Sequence, residues 1–283
     1  MRPSLWSVLR AVVVVALVLL ARHQKEQKEQ KEQGDEFFGA QVYVVGLRRA
    51  RRALHHAILA PVAAAALARA HPLMRPTRGV LLHGRPGTGK TMLARWVAMR
   101  LDGAFVAVAP DAVQSRWYGE TPRRVRELFA LARARAPCVL FFDELDGMLR
   151  SRSSGEMGVE REFKTTMLSE MSRAEDDDAP VVVLMGATNR PEDIDAAVLR
   201  RFPLRVEVPL PNARARVRML ERHLGVPVAW FGALSDGMVC SDVHEVARAA
   251  VRLAHARRAC GGLSVSERDV RAVLVEGDAG LLW

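Results

Sequence analysis

Cysteine is scarce in this sequence, and no two cysteines lie close together. Cys138, Cys240 and Cys260 are widely spaced in a chain of 283 residues. An odd and scattered set argues against a disulfide framework and indicates a reducing compartment. The CxxC spacing of zinc ligands does not occur. The HExxH pattern of metalloproteases is missing as well, since the nearest string, at residues 244–248, reads HEVAR.

Lysine is also scarce, so the formal net charge of +10 is carried almost wholly by arginine. A basic chain can bind nucleic acid or an anionic membrane surface. Here the arginines are scattered along predicted helices, and no basic patch interleaved with aromatic residues is present. We therefore expect solvated helix faces and no nucleic-acid partner. Hydrophobic residues at 49% and charged residues at 26% are ordinary for a folded globular chain.

A long apolar run occurs at the N-terminus. Residues 5–21 read LWSVLRAVVVVALVLLA, which is about the shortest stretch that can cross a bilayer. Arg10 would cost roughly 2.5–3.5 kcal/mol at the bilayer centre, but it lies in the first third and could snorkel outward. A cleaved signal peptide is the alternative, although no convincing A-x-A site follows. We expect a retained transmembrane anchor over residues 1–22 and a polar QKE-repeat linker over 23–40.

A glycine-rich run at residues 84–91 carries the strongest chemical signal. Residues 79–101 read GVLLHGRPGTGKTMLARWVAMRL, in which a short apolar strand leads into GxxxxGK[ST] and then into a helix. Glycines let backbone amides approach phosphate oxygens at the N-terminus of that helix. Lys90 should reach the β- and γ-phosphates, and Thr91 should offer its hydroxyl to Mg²⁺. The predicted ATP-binding residues of this run are Gly84, Pro86, Gly87, Thr88, Gly89, Lys90 and Thr91.

Two carboxylates follow a second apolar run. Residues 138–146 read CVLFFDELD, and the continuous apolar part is typical of a parallel strand buried on both faces. Asp143 and Glu144 then lie at the carboxyl edge of the sheet, where such folds bind ligands. We expect Asp143 to hold Mg²⁺ and Glu144 to polarise the attacking water.

Three polar residues further along the chain complete the predicted catalytic set. Asn189 follows an apolar run that ends in GATNR, so it should reach the same edge of the sheet and orient the water. Arg200 and Arg201 end a predicted helix, where paired arginines can simply favour the helix dipole. The alternative is an arginine finger that reaches the γ-phosphate of a neighbouring subunit and makes hydrolysis depend on oligomerisation.

The order of these segments predicts an α/β fold with a parallel sheet and helices on both faces. Strands are expected near residues 80–83, 104–108, 139–142, 181–185 and 204–208. Beyond residue 211 the pattern is helical, and it ends in a helix over 267–273 with Ser266 as its N-cap. We expect a large ATPase domain over residues 41–210 and a small helical lid over 211–283.

The motifs together resemble the AAA family of ring-forming ATPases over roughly residues 41–275. The resemblance rests on VVGL, GRPGTGKT, RWYGE, FFDELD, MGATNRP and LRRFPLR, in that order. Within the family, the chain is similar to the meiotic clade, and most of all to the ATPases of that clade that extract proteins from the outer mitochondrial membrane. The WYGE loop, MGATNRP followed by RRFP, and the N-terminal apolar segment support that placement.

The resemblance implies further roles. Trp117 and Tyr118 would form a first pore loop that grips extended peptide, since aromatic faces pack on many side chains. Residues 151–158 would form a second pore loop. Val45 and Gly46 would contact adenine through backbone groups.

The sequence departs from the family pattern at two places. Arg85 replaces the usual proline of the phosphate-binding loop. The lid motif GFSGSD reads GMVCSD at residues 237–242, which puts nucleotide sensing by the lid in doubt.

By resemblance, the chain is a membrane-anchored homo-hexamer that uses ATP and Mg²⁺ to pull mislocalised tail-anchored proteins through its pore. The resemblance places it in the outer mitochondrial membrane, with the ATPase domain facing the cytosol, or in the peroxisomal membrane. A microtubule-severing or ESCRT-disassembling ATPase of the same clade is the alternative. Such proteins usually carry a separate N-terminal interaction domain, for which the region before residue 41 has no room.

Overall fold

A computed structural model describes residues 44–64, 71, 74–108, 120–149, 158–174, 176, 179–257 and 265–275. The predicted anchor and linker therefore lie outside the described residues, as do Trp117, Tyr118 and residues 151–157. Within the described ranges, no helix is both long enough and apolar enough to span a bilayer.

Five parallel strands form one sheet in the described part of the chain, in the order β2-β3-β4-β1-β5. The strands are β1 (Gly79–His83), β2 (Ala104–Val108), β3 (Cys138–Phe142), β4 (Val182–Thr188) and β5 (Leu204–Glu207). Every residue of β3 and β4 is buried, as expected for central strands covered on both faces. The predicted α/β class and its five parallel strands are confirmed.

Strand β4 is longer than its predicted span of residues 181–185. The strand continues beyond residue 185 through Thr188, which pairs with His83 of β1. A side chain at Gly186 would place its Cβ 2.7 Å from Cδ2 of Leu145. Gly186 is therefore a packing requirement inside the strand, and the extra residues carry Thr188 to the edge where β1 ends.

Helices cover the sheet and build one main core. Apolar side chains of the helices meet those of β3 and β4 in a cluster that includes Phe129, Phe142, Leu145 and Phe202. In chain order the first helices are α1 (Arg48–Leu54), a π-helical stretch (His55–Leu59), α2 (Ala60–Ala63), α3 (Lys90–Arg100), α4 (Glu120–Ala134), α5 (Leu145–Met148) and α6 (Gly158–Ala174). They are followed by a 3-10 turn (Pro191–Asp193) and α7 (Ala196–Leu199).

The C-terminal helices have a core of their own. These helices are α8 (Ala213–Leu224), α9 (Phe231–Leu234), α10 (Cys240–Arg257) and α11 (Glu267–Val275), and their buried residues include Leu220, Phe231, Val243 and Val270. The backbone N–H and hydroxyl of Ser266 both donate to Asp269, an arrangement that fits the predicted N-cap of α11. Helix α11 extends two residues beyond its predicted end.

A buried arginine ties the first of these helices to its surroundings. Arg216 on α8 is only 4% exposed. Its guanidinium donates to Pro211 O at 2.7 Å, to Ser235 Oγ at 2.9 Å and to Gly232 O at 3.2 Å. The planar fork of five N–H donors suits this set of acceptors, because each lies in a different direction. The residue thereby fixes α8 against the segment that enters it and against the end of α9.

Candidate active site

The carboxyl ends of three adjacent strands bring the predicted motifs together. Strand β1 ends at His83, directly before the glycine-rich loop, and His83 pairs with Thr188 at the end of β4. Strand β3 ends at Phe142, directly before the two carboxylates, and pairs with Gly186. The three motifs therefore meet at one edge of the sheet, as ligand-binding residues do in open parallel sheets.

The glycines of the loop have conformations and close contacts that a side chain would disturb. Gly84 has φ +148° and lies against the carbonyl oxygen of Val208, where an added Cβ would overlap it. Gly87 has φ +73°, and Gly89, at the N-cap of α3, has φ +98° with open space where a Cβ would be. Thr88 is buried, and its hydroxyl donates to Arg85 O at 2.8 Å. The backbone thus forms an open cradle at a helix N-terminus, as phosphate binding requires.

Lys90 is the side chain at which the loop and β4 meet. Its Nζ donates to Gly84 O at 2.8 Å, to Arg85 O at 2.9 Å and to Asn189 Oδ1 at 2.8 Å. Burial lowers the pKa of Lys90, and the carboxylates of Asp143 and Asp146 oppose that shift. A desolvated ammonium held by neutral acceptors is suited to an anionic partner, because such a partner offers a stronger interaction than carbonyl oxygens.

Thr91 and Asp143 supply the oxygen atoms expected of a magnesium site. The Thr91 hydroxyl donates to Asp143 Oδ2 at 3.3 Å, so the two groups face each other across the loop. Magnesium in phosphoryl-transfer sites takes one or two protein oxygens, and waters and phosphate oxygens complete the shell. No group of three or more His, Cys, Asp or Glu side chains that could hold a metal occurs in the described ranges. The hydroxyl of Thr91 and the carboxylate of Asp143 fit Mg²⁺ bound together with a nucleotide.

Glu144 is presented to solvent by an unusual backbone conformation. It is one of two described non-glycine residues with positive φ, at φ 49° and ψ 49°, and it precedes the short helix α5. Its backbone N–H donates to Asp143 Oδ1 at 3.0 Å. A left-handed residue other than glycine costs roughly 1–3 kcal/mol, so such residues often mark functional sites. The exposed carboxylate at this edge of the sheet can accept a proton from a water molecule.

Two residues at this edge of the sheet, Thr188 and Asp146, were not predicted from the sequence. Thr188 is 1% exposed, and its hydroxyl donates to Asp146 Oδ1 at 2.7 Å. The same hydroxyl accepts a hydrogen bond from the backbone N–H of Arg190 at 2.9 Å. The sequence signal that could have located Asp146 is its place in FFDELD. It is the second aspartate of that string and lies two residues after Glu144, on the first turn of α5.

The helical lid touches the glycine-rich loop directly. The N–H of Ser241, near the start of α10, donates to Gly87 O at 3.2 Å. Cys240 Sγ lies 3.4 Å from Thr88 O. Burial raises the pKa of Cys240 to about 11, so its thiol is neutral at physiological pH and can act as a donor. The altered motif GMVCSD therefore places a side chain against the loop at a position where the family pattern has glycine.

Val45 and Gly46 are the residues predicted to contact adenine, and Gly46 lies against the first lid helix. Both are at the start of the described chain, and Gly46 has φ +78°. An added Cβ at Gly46 would lie 2.8 Å from the Cβ of Ala215 on α8. This close approach of backbone to helix places the two residues next to the lid. Their role toward adenine stays a prediction.

Arg200 and Arg201 are not brought to the site of their own chain. Arg201 O lies beside Gly79, the first residue of β1, whereas the glycine-rich loop follows the last residue of that strand. Strands rise about 3.3 Å per residue, so the arginines lie at the opposite edge of the sheet from Lys90. Arg200 is exposed at the end of α7. A catalytic role for either arginine therefore requires the site of another subunit.

Known proteins resemble this chain over the same region. Residues 80–210 match the family described as "ATPase family associated with various cellular activities (AAA)". A pig (Sus scrofa) spastin is 39% identical over 213 residues, which cover 72% of this chain and 34% of that protein. A zebrafish (Danio rerio) outer mitochondrial transmembrane helix translocase is 33% identical over 217 residues, which cover 74% of this chain and 60% of that protein.

An Arabidopsis thaliana relative, "Protein SUPPRESSOR OF K(+) TRANSPORT GROWTH DEFECT 1", is 40% identical over 209 residues. The matched region covers 71% of this chain and 47% of that protein. The chain thus spans from about a third to three fifths of the length of these curated relatives.

Proposed function

Because this chain belongs to the AAA family of ATPases, we propose that the site at the carboxyl edge of its sheet binds ATP with Mg²⁺ and hydrolyses it to drive the movement of a protein substrate. The observation that carries this proposal is the convergence of Lys90, Asn189, Asp143 and Glu144 at one edge, where Lys90 donates to Asn189 and is under the charge of Asp143. The resemblance to the meiotic clade agrees with the spastin and translocase relatives.

Each side chain has a separate task in hydrolysis. Lys90 exchanges its carbonyl acceptors for the β- and γ-phosphate oxygens, while the loop amides cradle the same phosphates. Thr91 and Asp143 hold Mg²⁺, which when bound neutralises charge on the phosphates. Glu144 accepts the proton of the attacking water, and Asn189 orients that water from the end of β4. The chemistry relies on positioning and on electrostatic stabilisation, which dominate phosphoryl transfer.

Hydrolysis in this proposal requires a neighbouring copy of the chain. Arg200 and Arg201 lie at the edge of the sheet opposite their own glycine-rich loop, so any charge that they supply to a γ-phosphate would act at the site of another subunit. An arginine supplied in trans accelerates related phosphoryl transfers by about 10³–10⁵-fold. We therefore infer a homo-oligomer, and the family's ring architecture makes it a homo-hexamer.

The work done by the ring is the extraction of membrane proteins. Trp117 and Tyr118 would grip the substrate in the pore, and the apolar segment at residues 5–21 would anchor the ring beside its substrates. Support comes from the zebrafish relative, whose name describes a translocase of transmembrane helices in the outer mitochondrial membrane. We propose that this chain acts on tail-anchored proteins at the same membrane, or at the peroxisomal membrane, with its ATPase domain in the cytosol.

A second candidate function has its own support. Several spastins are among the relatives, and the pig protein is more similar over the matched region than the zebrafish translocase. The alternative is therefore a microtubule-severing ATPase, or one that disassembles ESCRT filaments. The two candidates share the ATPase site and differ in what the pore loop grips.

An extraction assay tests the proposal. The full chain is reconstituted into liposomes together with a fluorescent tail-anchored protein, and release of that protein to a soluble trap is followed with and without ATP. The wild type should release the substrate only with ATP, and Glu144→Gln should release none. Replacing both Trp117 and Tyr118 by alanine should lower release per ATP hydrolysed at least tenfold, because the aromatic grip is lost.

Two results would count against extraction. Release per ATP that is unchanged by the double alanine variant would remove the pore-loop assignment. ATP-dependent shortening of microtubules or ESCRT filaments by the wild type, without release of tail-anchored protein, would favour the second candidate.

A further inference from the structure

A buried hydroxyl joins the two loops that carry the water-handling residues. Thr188, at the end of β4, donates to Asp146 Oδ1 at 2.7 Å and accepts from the backbone N–H of Arg190 at 2.9 Å. A threonine hydroxyl has one proton to donate and lone pairs to accept, and both functions are used here. Because Thr188 is only 1% exposed, loss of either partner would leave a buried polar atom unsatisfied.

The two hydrogen bonds bracket Asn189. Its neighbours on both sides, Thr188 and Arg190, are joined to each other through the Thr188 hydroxyl, so the backbone turn that presents Asn189 has a fixed shape. The Asn189 side chain then meets Lys90 at 2.8 Å. A shift of about 1 Å in such a group can change a catalytic rate by about a hundredfold, so the shape of this turn has consequences for the reaction.

Asp146 connects the turn to the catalytic carboxylate. It lies two residues after Glu144 on α5, the short helix that begins directly after Glu144. Its negative charge also acts on Lys90, where it opposes the lowering of the pKa by burial. Through one carboxylate, the segment that carries Glu144 is therefore tied to the segment that carries Asn189.

We propose that Asp146 and Thr188 are positioning residues, which hold Asn189 in register with Glu144 and Lys90. Neither residue needs to touch the nucleotide or the attacking water, since both act through the turn at Asn189. The inference rests on the proposed ATP hydrolysis. It adds to that proposal the hydrogen bonds that keep the segment of Glu144 in register with the segment of Asn189.

Substitutions at Thr188 separate positioning from simple stability. Thr188→Val keeps the shape of the side chain but removes the hydroxyl, so kcat for ATP should fall about tenfold or more. The KM for ATP and the affinity for a fluorescent non-hydrolysable analogue should change less than threefold, because phosphate binding by the loop is intact. Thr188→Ser restores the hydroxyl and should recover most of kcat. The matched control is Thr165→Val, which removes a helix hydroxyl that donates to Arg161 O, and it should behave as wild type.

Hydrogen exchange supplies a readout that needs no turnover. In the chain without nucleotide, the Arg190 amide should exchange faster in Thr188→Val than in wild type, because it loses its acceptor. The core amides of β4, such as that of Leu184, should keep their protection. Uniform loss of protection across β4 would mean that the substitution weakens the fold, and the positioning role would then be overturned.

A double-mutant cycle with Asn189 decides whether the network works through that residue. In an Asn189→Ala background, Thr188→Val should lower kcat by less than threefold, since the group to be positioned is gone. Asp146→Ala should show the same dependence, and it serves if Thr188→Val does not fold. Independent, multiplying effects would overturn the proposal while leaving ATP hydrolysis untouched. A wild-type chain without ATP turnover would instead remove the proposed function itself.

Discussion

At the scale of single residues, the site is organised around side chains that exchange partners. The three acceptors of Lys90 are two loop carbonyls and the Asn189 amide oxygen. These neutral groups keep the ammonium in place, and a phosphate can replace them at little cost because its interaction with the ammonium is stronger. On the lid side, the Cys240 thiol lies against Thr88 O. Its reactivity therefore reports on the contact between the lid and the loop.

The reactivity of Cys240 is predictable from its surroundings. Its pKa of about 11, raised by burial, means that thiolate is rare at neutral pH and increases only as pH approaches that value. Alkylation by iodoacetamide near pH 8 should therefore be roughly two orders of magnitude slower than that of glutathione. The logarithm of the rate should rise by about one per pH unit up to about pH 9.5. Mass spectrometry of the peptide that contains Cys240 measures this rate.

A rate profile that levels off near pH 8.5, as for a free thiol, would show that Cys240 is not held against the loop. Glutathione in the same reaction is the reference, because it reports the intrinsic rate at each pH.

The residue scale also shows what sequence could and could not predict. Lys90, Thr91, Asp143 and Glu144 were found from motif spacing, because the chemistry fixes their residue types and the strand ends fix their place. Asp146 was not singled out, since its partner Thr188 is 42 residues away and no local pattern joins them. The left-handed conformation of Glu144 was equally invisible, because residue type alone gives no reason to expect it.

At the scale of elements, the contact between lid and loop is the feature with the most direct consequence. The start of α10 lies on the loop at Gly87, where Ser241 N–H donates to the glycine carbonyl. The same glycine leaves no room for a side chain, since a Cβ there would overlap Ser241 Oγ and lie 2.8 Å from Cγ2 of Val239. In the proposed function, a nucleotide bound at the loop would lie beside a residue that the lid also contacts.

The substitution Gly87→Ala should push the lid away from the loop. The matched control is Gly225→Ala, because Gly225 has a similar φ of +70° but open space where the Cβ would be. Both variants carry the backbone strain of a left-handed alanine, about 1–2 kcal/mol. Only Gly87→Ala should also speed the alkylation of Cys240, and it should weaken binding of a fluorescent ATP analogue at least tenfold.

Equal Cys240 alkylation rates in the two glycine variants would contradict this account of the lid contact. That readout matters because a change inside the loop can weaken nucleotide binding by itself, whereas it changes the Cys240 thiol only if the lid moves.

Strand positions were largely predictable, and the main exception has a physical cause. Apolar runs followed by motif residues located β1 and β3 to within a residue. Strand β4 extends three residues beyond its predicted end at residue 185, and Gly186 inside it is small enough to accommodate Leu145. The point at which β4 ends depends on packing between elements, which a local sequence pattern does not contain.

At the scale of the whole molecule, the described residues form one hydrophobic core on the sheet and another among the C-terminal helices. One is built on the sheet and includes Phe142 and Phe202, and the other joins the C-terminal helices around Leu220 and Phe231. Arg216 fixes the start of the second core through its bond to Pro211 O. The elements of the sheet and the C-terminal helices therefore pack into separate cores.

The residues proposed for catalysis lie at two opposite edges of the sheet, so the proposed function requires a neighbouring subunit. Lys90 and Glu144 lie at one edge of the sheet, and Arg201 lies at the other, beside Gly79. Sequence alone left the role of the paired arginines open between a helix-dipole contact and a finger. Their distance from the glycine-rich loop of the same chain is what the fold adds, and it favours action on a neighbour.

The central claim is that this edge of the sheet hydrolyses ATP through Glu144 in an assembly of several subunits. The most direct measurement is phosphate release by the full chain as a function of protein concentration, for wild type, Glu144→Gln and the control Glu192→Gln, whose exposed carboxylate lies in the 3-10 turn. Wild type and control should show turnover per subunit that rises steeply with concentration. Glu144→Gln should bind nucleotide with near-normal affinity and lose at least about 99% of turnover. Equal turnover in Glu144→Gln and wild type would contradict the account.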